Sequence, residues 1–377
     1  MFDMDKFLKN AGGGIDLDNL PGVLKAGGVY QPSGGDMHIE SALTNMSLAI
    51  MQEASGFVAR QTFRSLPVLK QYDRYWIYPN GAFNRNQMQK RAAGTRSVGM
   101  NYDVDSAPYG CDVYAGHIPI TDQDRDNADS AFNLDSDAVD FLTMKSMLLE
   151  EVDWTQQFFG GTGFNAAPGG VWAFVADGVA ATESAALDFT DAGNNNVVQW
   201  SAVPAAGELG PIEMVRLAKT TVHQRTGFRP NVMTIGRQAY DILLDHPDII
   251  GRLDAGQTPG GPAMTQRQSL AALFELDEIL VMDAIVNVGK VGLPDDHQFI
   301  GGKNALLSYR PSSAGLKTPA AGYTILWSGF RGANAGGARI KSWYEDPIEA
   351  EIVEIQSAFD HKLVASELGF YFNGIVA

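Results

Sequence analysis

Residues 227–253, "GFRPNVMTIGRQAYDILLDHPDIIGRL", hold three element signals in succession. The apolar run NVMTI at 231–235 reads as a short strand, and 237–244 reads as a helix. His246-Pro247 stops that helix, because proline has no amide hydrogen to donate and crowds the turn before it. Upstream, Pro211 opens a helix that runs to about Thr226, since proline suits the first helical turn. Between them and the first half, residues 178–210 are rich in Ala, Asn and Gly and read as loops. Downstream, strands are expected at 279–283, 305–309, 323–327 and 339–343. The closing stretch, IEAEIVEIQSAFDHKLVASELGFYFNGIVA, reads as two or more further strands. The second half is therefore a compact α/β or α+β domain.

The first half is patterned differently. A long helix is expected over 136–159, with Phe141, Met144, Leu148, Val152 and Phe159 on one face. Asp135 or Ser136 would cap it, Asp137 and Asp140 suit the positive end of its dipole, and Gly160-Gly161 ends it. Before it, Tyr72, Arg74, Trp76 and Tyr78 alternate with Asp73, Tyr75 and Ile77. Val98, Met100, Tyr102 and Val104 alternate likewise with Gly99, Asn101, Asp103 and Asp105. These are two strands of period two, expected to form a long hairpin with NRNQMQKRAAGTR (84–96) at its tip. Pro79-Asn80-Gly81 offers an earlier turn. Residues 1–35 form a glycine-rich arm (AGGG, AGG, SGG), followed by a helix whose face carries Ile39, Leu43, Met46 and Ile50.

Charge is segregated along the chain. Overall there are 44 acids against 28 bases, a net of −16. Residues 84–96 nonetheless hold four bases (Arg85, Lys90, Arg91, Arg96) and no acid. The window 60–100 is +7, which leaves −23 for the rest, and residues 122–153 carry ten acids and two bases. A pI near 4.7 argues against general nucleic-acid binding, since most of the surface would repel phosphate. A single cysteine, Cys111, excludes an intramolecular disulfide framework. No apolar run reaches the ~18 residues of a membrane-spanning helix. The N-terminal MFDMDKFLKNAGGG has acids where a secretory signal needs bases.

Motifs for chemistry fail on context. Asp122-x-Asp124-x-Asp126 begins like a calcium loop, but Asn127 and Asn133 stand where such a loop needs glycine and glutamate. An acidic helix entry is the better reading. Gly161-Thr162-Gly163-Phe164-Asn165-Ala166 matches a dinucleotide fingerprint, yet it follows a helix and not a strand. Gly302-Lys303 lacks the spacing of a phosphate loop. The six histidines are scattered without ligand spacing, and no GxSxG occurs. No catalytic, cofactor or metal constellation emerges, so the expectation is a structural protein and not an enzyme.

Four stretches together resemble the major capsid proteins of tailed bacteriophages, the Hong Kong 97 fold. They are 227–253 above, ALFELDEILVMDAIVN (272–287), KNALLSYRPSSAGLKTPAAGYTILWSG (303–329) and DHKLVASELGFYFNGIV (360–376). The resemblance implies an α+β fold with an N-terminal arm, an extended β-hairpin called the E-loop, a peripheral domain built on a long spine helix, and an axial domain. By position, 1–56 would be the arm and its helix, 57–118 the E-loop with its flanks, and 119–160 the peripheral domain with the spine. Residues 161–338 would be mainly axial, and 339–377 would return to the peripheral domain.

It further implies self-assembly into hexamers and pentamers that form an icosahedral shell around double-stranded DNA, held without sequence-specific contacts. The expected partners are copies of the chain, with portal and scaffolding proteins and a decoration protein as further candidates. The expected place is the virion, after synthesis in the host cytoplasm. In such shells the E-loop lies over a neighbouring subunit. Arg85, Lys90, Arg91 and Arg96, with Trp76, Tyr78 and Phe83 as apolar anchors, would then meet Asp122, Asp124, Asp126, Asp129, Asp137 and Asp140 of the next copy. Lys90 is the candidate donor for an intersubunit crosslink, but no acceptor asparagine or catalytic glutamate matches. The alternatives are an encapsulin-type nanocompartment shell and a soluble cytoplasmic enzyme with a site assembled from distant residues.

Overall fold

The computed structural model describes residues 52–78, 80–128, 133–160, 171–177, 199–204, 209–254, 267–290, 292–315 and 318–376. The arm, the helix expected through Ile50 and the Gly161–Ala166 motif lie outside the described residues, as do Pro79, Asp129 and most of the 178–210 loops. In chain order the elements begin with α1 (Ala59–Thr62), β1 (Arg64–Val68), β2 (Tyr72–Ile77) and α2 (Asn80–Phe83). Then come β3 (Asp105–Gly110), β4 (Asp112–Thr121), α3 (Asp122–Asn127) and the long α4 (Leu134–Trp154), which runs into a π-helical turn (Thr155–Phe159). The second half contributes β5 (Val175–Asp177), α5 (Pro211–Thr226), β6 (Val232–Gly236), α6 (Arg237–Leu244), α7 (Pro247–Asp254) and α8 (Arg267–Leu273). It continues with β7 (Glu278–Met282), β8 (Ile285–Asn287), β9 (His297–Phe299), β10 (Ala305–Ser308) and β11 (Gly322–Trp327). It ends with β12 (Ala338–Glu345), β13 (Ala350–Leu363) and β14 (Gly369–Asn373).

By contacts, Ile118–Ala138 and Ser342–Val353 gather in one unit and the remaining described residues in another. The larger unit is organised by a mixed five-stranded sheet in the order β5-β14-β10-β6-β7. β6 pairs parallel with β7 and antiparallel with β10, so Leu307 lies opposite Met233, and Leu306 opposite Thr234. Both faces of this sheet are buried, and the period-two alternation of each strand sorts its side chains between two cores. Met233, Ile235, Ile279, Val281, Leu307, Phe370 and Phe372 face one core, with Met214, Val215, Ala218 and Val222 from α5. Val232, Leu280, Met282, Leu306 and Tyr371 face the other, with Phe63, Trp154, Phe158, Phe159 and Trp172.

A second sheet is built on β13. Its order is β1-β11-β13-β12, and β4 also pairs with β13. β1 runs parallel to β11, with Leu66 opposite Ile325, and β11 runs antiparallel to β13, with Thr324 opposite His361.

α4 corrects two expectations. Its cap is Asn133, whose Oδ1 accepts from the Ser136 amide at 3.2 Å, and not Asp135 or Ser136. Its buried face keeps most of the expected positions, with Leu148 and Val152 packed against the second core and Phe159 fully buried, but not Phe141. Phe141 is 50% exposed with Lys145 over its ring, while Leu142, Glu150, Glu151 and Trp154 are buried. The π turn follows at Thr155–Phe159. An extra residue in the turn shifts the helical phase, so adjacent Phe158 and Phe159 both turn inward. The buried helix end leaves carbonyls that need partners. Trp172 Nε1 donates to Phe158 O at 2.8 Å, Asn304 Nδ2 donates to Phe159 O and Gly160 O, and the Tyr371 hydroxyl donates to Phe159 O.

Candidate intermolecular surface

The segment that leaves the core at Val58 and returns at β4 carries the candidate surface. Phe63 anchors its start, with ring centroids 5.6 Å from Trp154 and 5.1 Å from Phe158. β2 and β3 then form an isolated two-stranded antiparallel ribbon, with Tyr72 opposite Gly110 and Ile77 opposite Asp105. Its base is pinned by Cys111 N donating to Gln71 O, Gln71 Nε2 donating to Cys111 O, and Gly110 N donating to Asp360 Oδ2 at 2.9 Å. The Tyr72 ring lies over Gly110, where a Cβ would come within 2.7 Å of it, so a larger residue there would displace the ring.

The expected second strand at 98–104 is not a strand; the returning strand is β3, which starts at Asp105. The register is set by long-range bonds at the ribbon base and not by the local alternation. The expected tip also differs. Asn80–Phe83 forms one helical turn, and Asn80 Nδ2 donates to Arg225 O at 3.1 Å, so this corner touches the end of α5. Tyr78, Phe83 and Tyr102 cluster, with Phe83 and Tyr102 centroids 5.6 Å apart. Residues 84–104 are almost wholly exposed and irregular beyond a turn at Ala92–Thr95.

Arg85, Lys90, Arg91 and Arg96 are all exposed, and none makes an ion pair or side-chain hydrogen bond among the described residues. The other bases of the +7 window are engaged. Arg60 pairs with Glu150, Lys70 with Asp73, Arg64 donates to Pro311 O and Arg74 to Ser106 O. Around the free bases lies apolar surface. Trp76 is 64% exposed, Phe83 62% and Met88 80%. Leu69, Tyr72, Val98, Met100, Tyr102 and Val104 are exposed with them. Met88 and Met100 were not among the expected anchors; their signal in the sequence is apolar character on a segment with no core of its own. So much exposed apolar surface on one excursion marks an interaction site.

The acidic candidates divide. Thr121 caps α3, its Oγ1 accepting from Asp124 N at 3.1 Å, so the Asp122–Asp126 spacing lies on a helix. Arg125 bridges Asp135 and Glu351 at 3.0 and 2.9 Å. Asp122 accepts from the Tyr344 hydroxyl at 2.6 Å, and that bond to a carboxylate pushes the phenol up to about 12. Asp124 is bonded to Thr121. Asp126, Asp137 and Asp140 are exposed, with carboxylates unpaired among the described residues.

By comparison with solved structures, the chain has the α+β Hong Kong 97 capsid fold. Its sequence is similar to the major capsid protein of Burkholderia phage BcepMu, 25% identical over 346 residues that span 89% of this chain and 96% of that protein. A phage-related protein from Bordetella bronchiseptica shares the fold with a TM-score of 0.58 at 17% identity, covering 86% of this chain and 94% of its own. The capsid structure of cyanophage P-SCSP1u does so with a TM-score of 0.53 at 9% identity, covering 86% and 90%. No family model matches the chain.

Proposed function

We propose that the chain is the major capsid protein of a phage, self-assembling through hexamers and pentamers into the shell that encloses double-stranded DNA. The carrying observation is the end-to-end similarity to a phage major capsid protein, joined to a fold found in phage capsids. The ribbon supports the assembly role. With the 84–104 segment between its strands, it presents exposed apolar side chains and four bases unpaired among the described residues, on a chain of net charge −16. The complementary surface is then on another copy, and Asp126, Asp137 and Asp140 carry the free negative charge it requires. This is a head-to-tail contact, which symmetry closes into rings and shells. Exposed ion pairs contribute only about 0–1 kcal/mol each, so they set register, while Trp76, Tyr78, Phe83, Met88 and Met100 supply cohesion. An acidic shell also repels the phosphates it encloses, which favours packing without sequence-specific binding. Portal, scaffolding and decoration proteins are the further partners this role implies, and the virion is its place.

The test is electron microscopy of the purified chain beside a variant with Arg85, Lys90, Arg91 and Arg96 all changed to Glu. The wild type should form round shells of uniform size; the variant should fold, by circular dichroism, and lose them. Shells at normal yield from the variant would remove the charged contact. Shells that load protein and exclude DNA in the producing cell would favour the encapsulin-type reading.

A further inference from the structure

The stem of the ribbon is fixed to α4 by three groups from one short segment. Phe63 enters the aromatic cluster, Arg60 Nε donates to Glu150 Oε1 at 2.6 Å, and the Ala59 amide donates to Glu151 Oε2 at 2.8 Å. The third contact differs in kind. Glu151 is 1% exposed, and its Oε1 is buried without a hydrogen-bond partner. The nearby cation, Arg60, is already engaged by Glu150.

The charged and titratable groups around this point are few. Glu150 stands beside Glu151 on α4, and its charge opposes a second one. From α1 comes Arg60. From β13 comes His361, with Nδ1 3.0 Å from Thr324 Oγ1; burial holds it neutral, its pKa lowered to about 3. Asp153, two residues on, is grouped instead with Asp112, Asp360 and Lys362. An ionised Glu151 would thus be a buried anion without a cation of its own. A protonated one keeps an acceptor oxygen for the Ala59 amide and carries no charge. Burial, partly offset by the Ala59 and Val58 amides, pushes this carboxyl up to about 7.

We propose that Glu151 is a proton-operated clamp: protonated, it holds the stem of the ribbon on α4, and deprotonated, it favours an open arrangement with a hydrated carboxylate and a released stem. The sign follows from linkage. The closed state binds the proton more tightly than the open or unfolded one, whose carboxyl has its ordinary value of 4.5. The closed state is therefore progressively disfavoured as pH rises from 4.5 to about 7, with no further change above that. This clamp acts within one chain and does not depend on the shell reading.

Glu151→Gln is neutral at every pH and retains the acceptor oxygen. Hydrogen exchange of residues 57–64, corrected for intrinsic rate, is measured in both proteins at about pH 5 and about pH 8, which span the window. Wild-type protection should fall by at least about tenfold toward the alkaline side, the factor that one pKa unit represents, while that of the Gln variant stays level. Equal slopes in the two proteins, or a level wild type, would overturn the clamp. Should the Gln variant fail to fold, infrared titration of wild-type protein carrying ¹³C-carboxyl glutamate reads the group directly. A buried protonated carboxyl must persist well above pH 4.5 and vanish near neutrality; full ionisation by pH 5.5 overturns the proposal.

Discussion

Phe63 shows how much one side chain can organise. It is fully buried, and its ring touches Trp154, Phe158 and Trp172, so it joins the ribbon stem to the long helix and to the sheet's second core. Truncating it leaves an aromatic-sized cavity that close-packed neighbours cannot fill. Phe63→Ala should cost about 3–5 kcal/mol, read from the urea midpoint at unchanged slope. A loss under about 1 kcal/mol would mean that the stem is not packed as described. Nothing in the local sequence distinguishes Phe63 from Phe57 or Phe83; the difference is what each meets. Glu151 makes the same point more sharply. A glutamate on a helix reads as solvent-facing, yet the segment that brings the Ala59 amide to it from 92 residues away in sequence makes it a core residue.

At the scale of elements, legibility follows punctuation. The helices expected at 211–226 and 237–244 coincide with α5 and α6, because proline openings and proline stops act locally. Gly227, at φ 80°, ends α5 in the left-handed conformation that glycine adopts freely. The strands expected at 279–283, 305–309, 323–327 and 339–343 correspond to β7, β10, β11 and β12, with ends moved by one or two residues. The start of α4 rests on a single amide side chain. Asn133→Ala should cost about 1 kcal/mol and Asn133→Asp little, measured by thermal unfolding. Equal losses from both would put the cap elsewhere. The ribbon was legible as an excursion but not in its register. Alternation at 98–104 reads as a strand, whereas β3, which contains Pro108, reads poorly as one. Long-range bonds from Gln71 and Asp360 decide the pairing instead.

For the whole molecule, the segregation of charge is the feature with consequences for assembly. A net charge of −16 makes copies repel, while a basic excursion on each copy supplies the attraction that orients them. Screening weakens such steering once the Debye length falls below about 10 Å, near 0.1 M salt. The rate of shell assembly, followed by light scattering, should therefore fall as salt rises from low to moderate concentration. A rate unchanged across that range would assign assembly wholly to apolar contacts. The candidate surface was legible in outline, because the bases of 84–96 stand out against the composition. Its apolar half was only partly legible, because Met88 and Met100 become surface only when no core is built around them.

The order and kind of most elements, the segregation of charge and the resemblance to a capsid fold are all readable before the chain folds. These properties live in local punctuation, short-range periodicity and composition, all of which act within a few residues. The pairing of the ribbon, the exposure of Phe141 on α4 and the burial of Glu151 emerge only on folding. Those outcomes depend on partners that arrive from far along the chain, and burial and pairing are properties of the meeting and not of either partner alone.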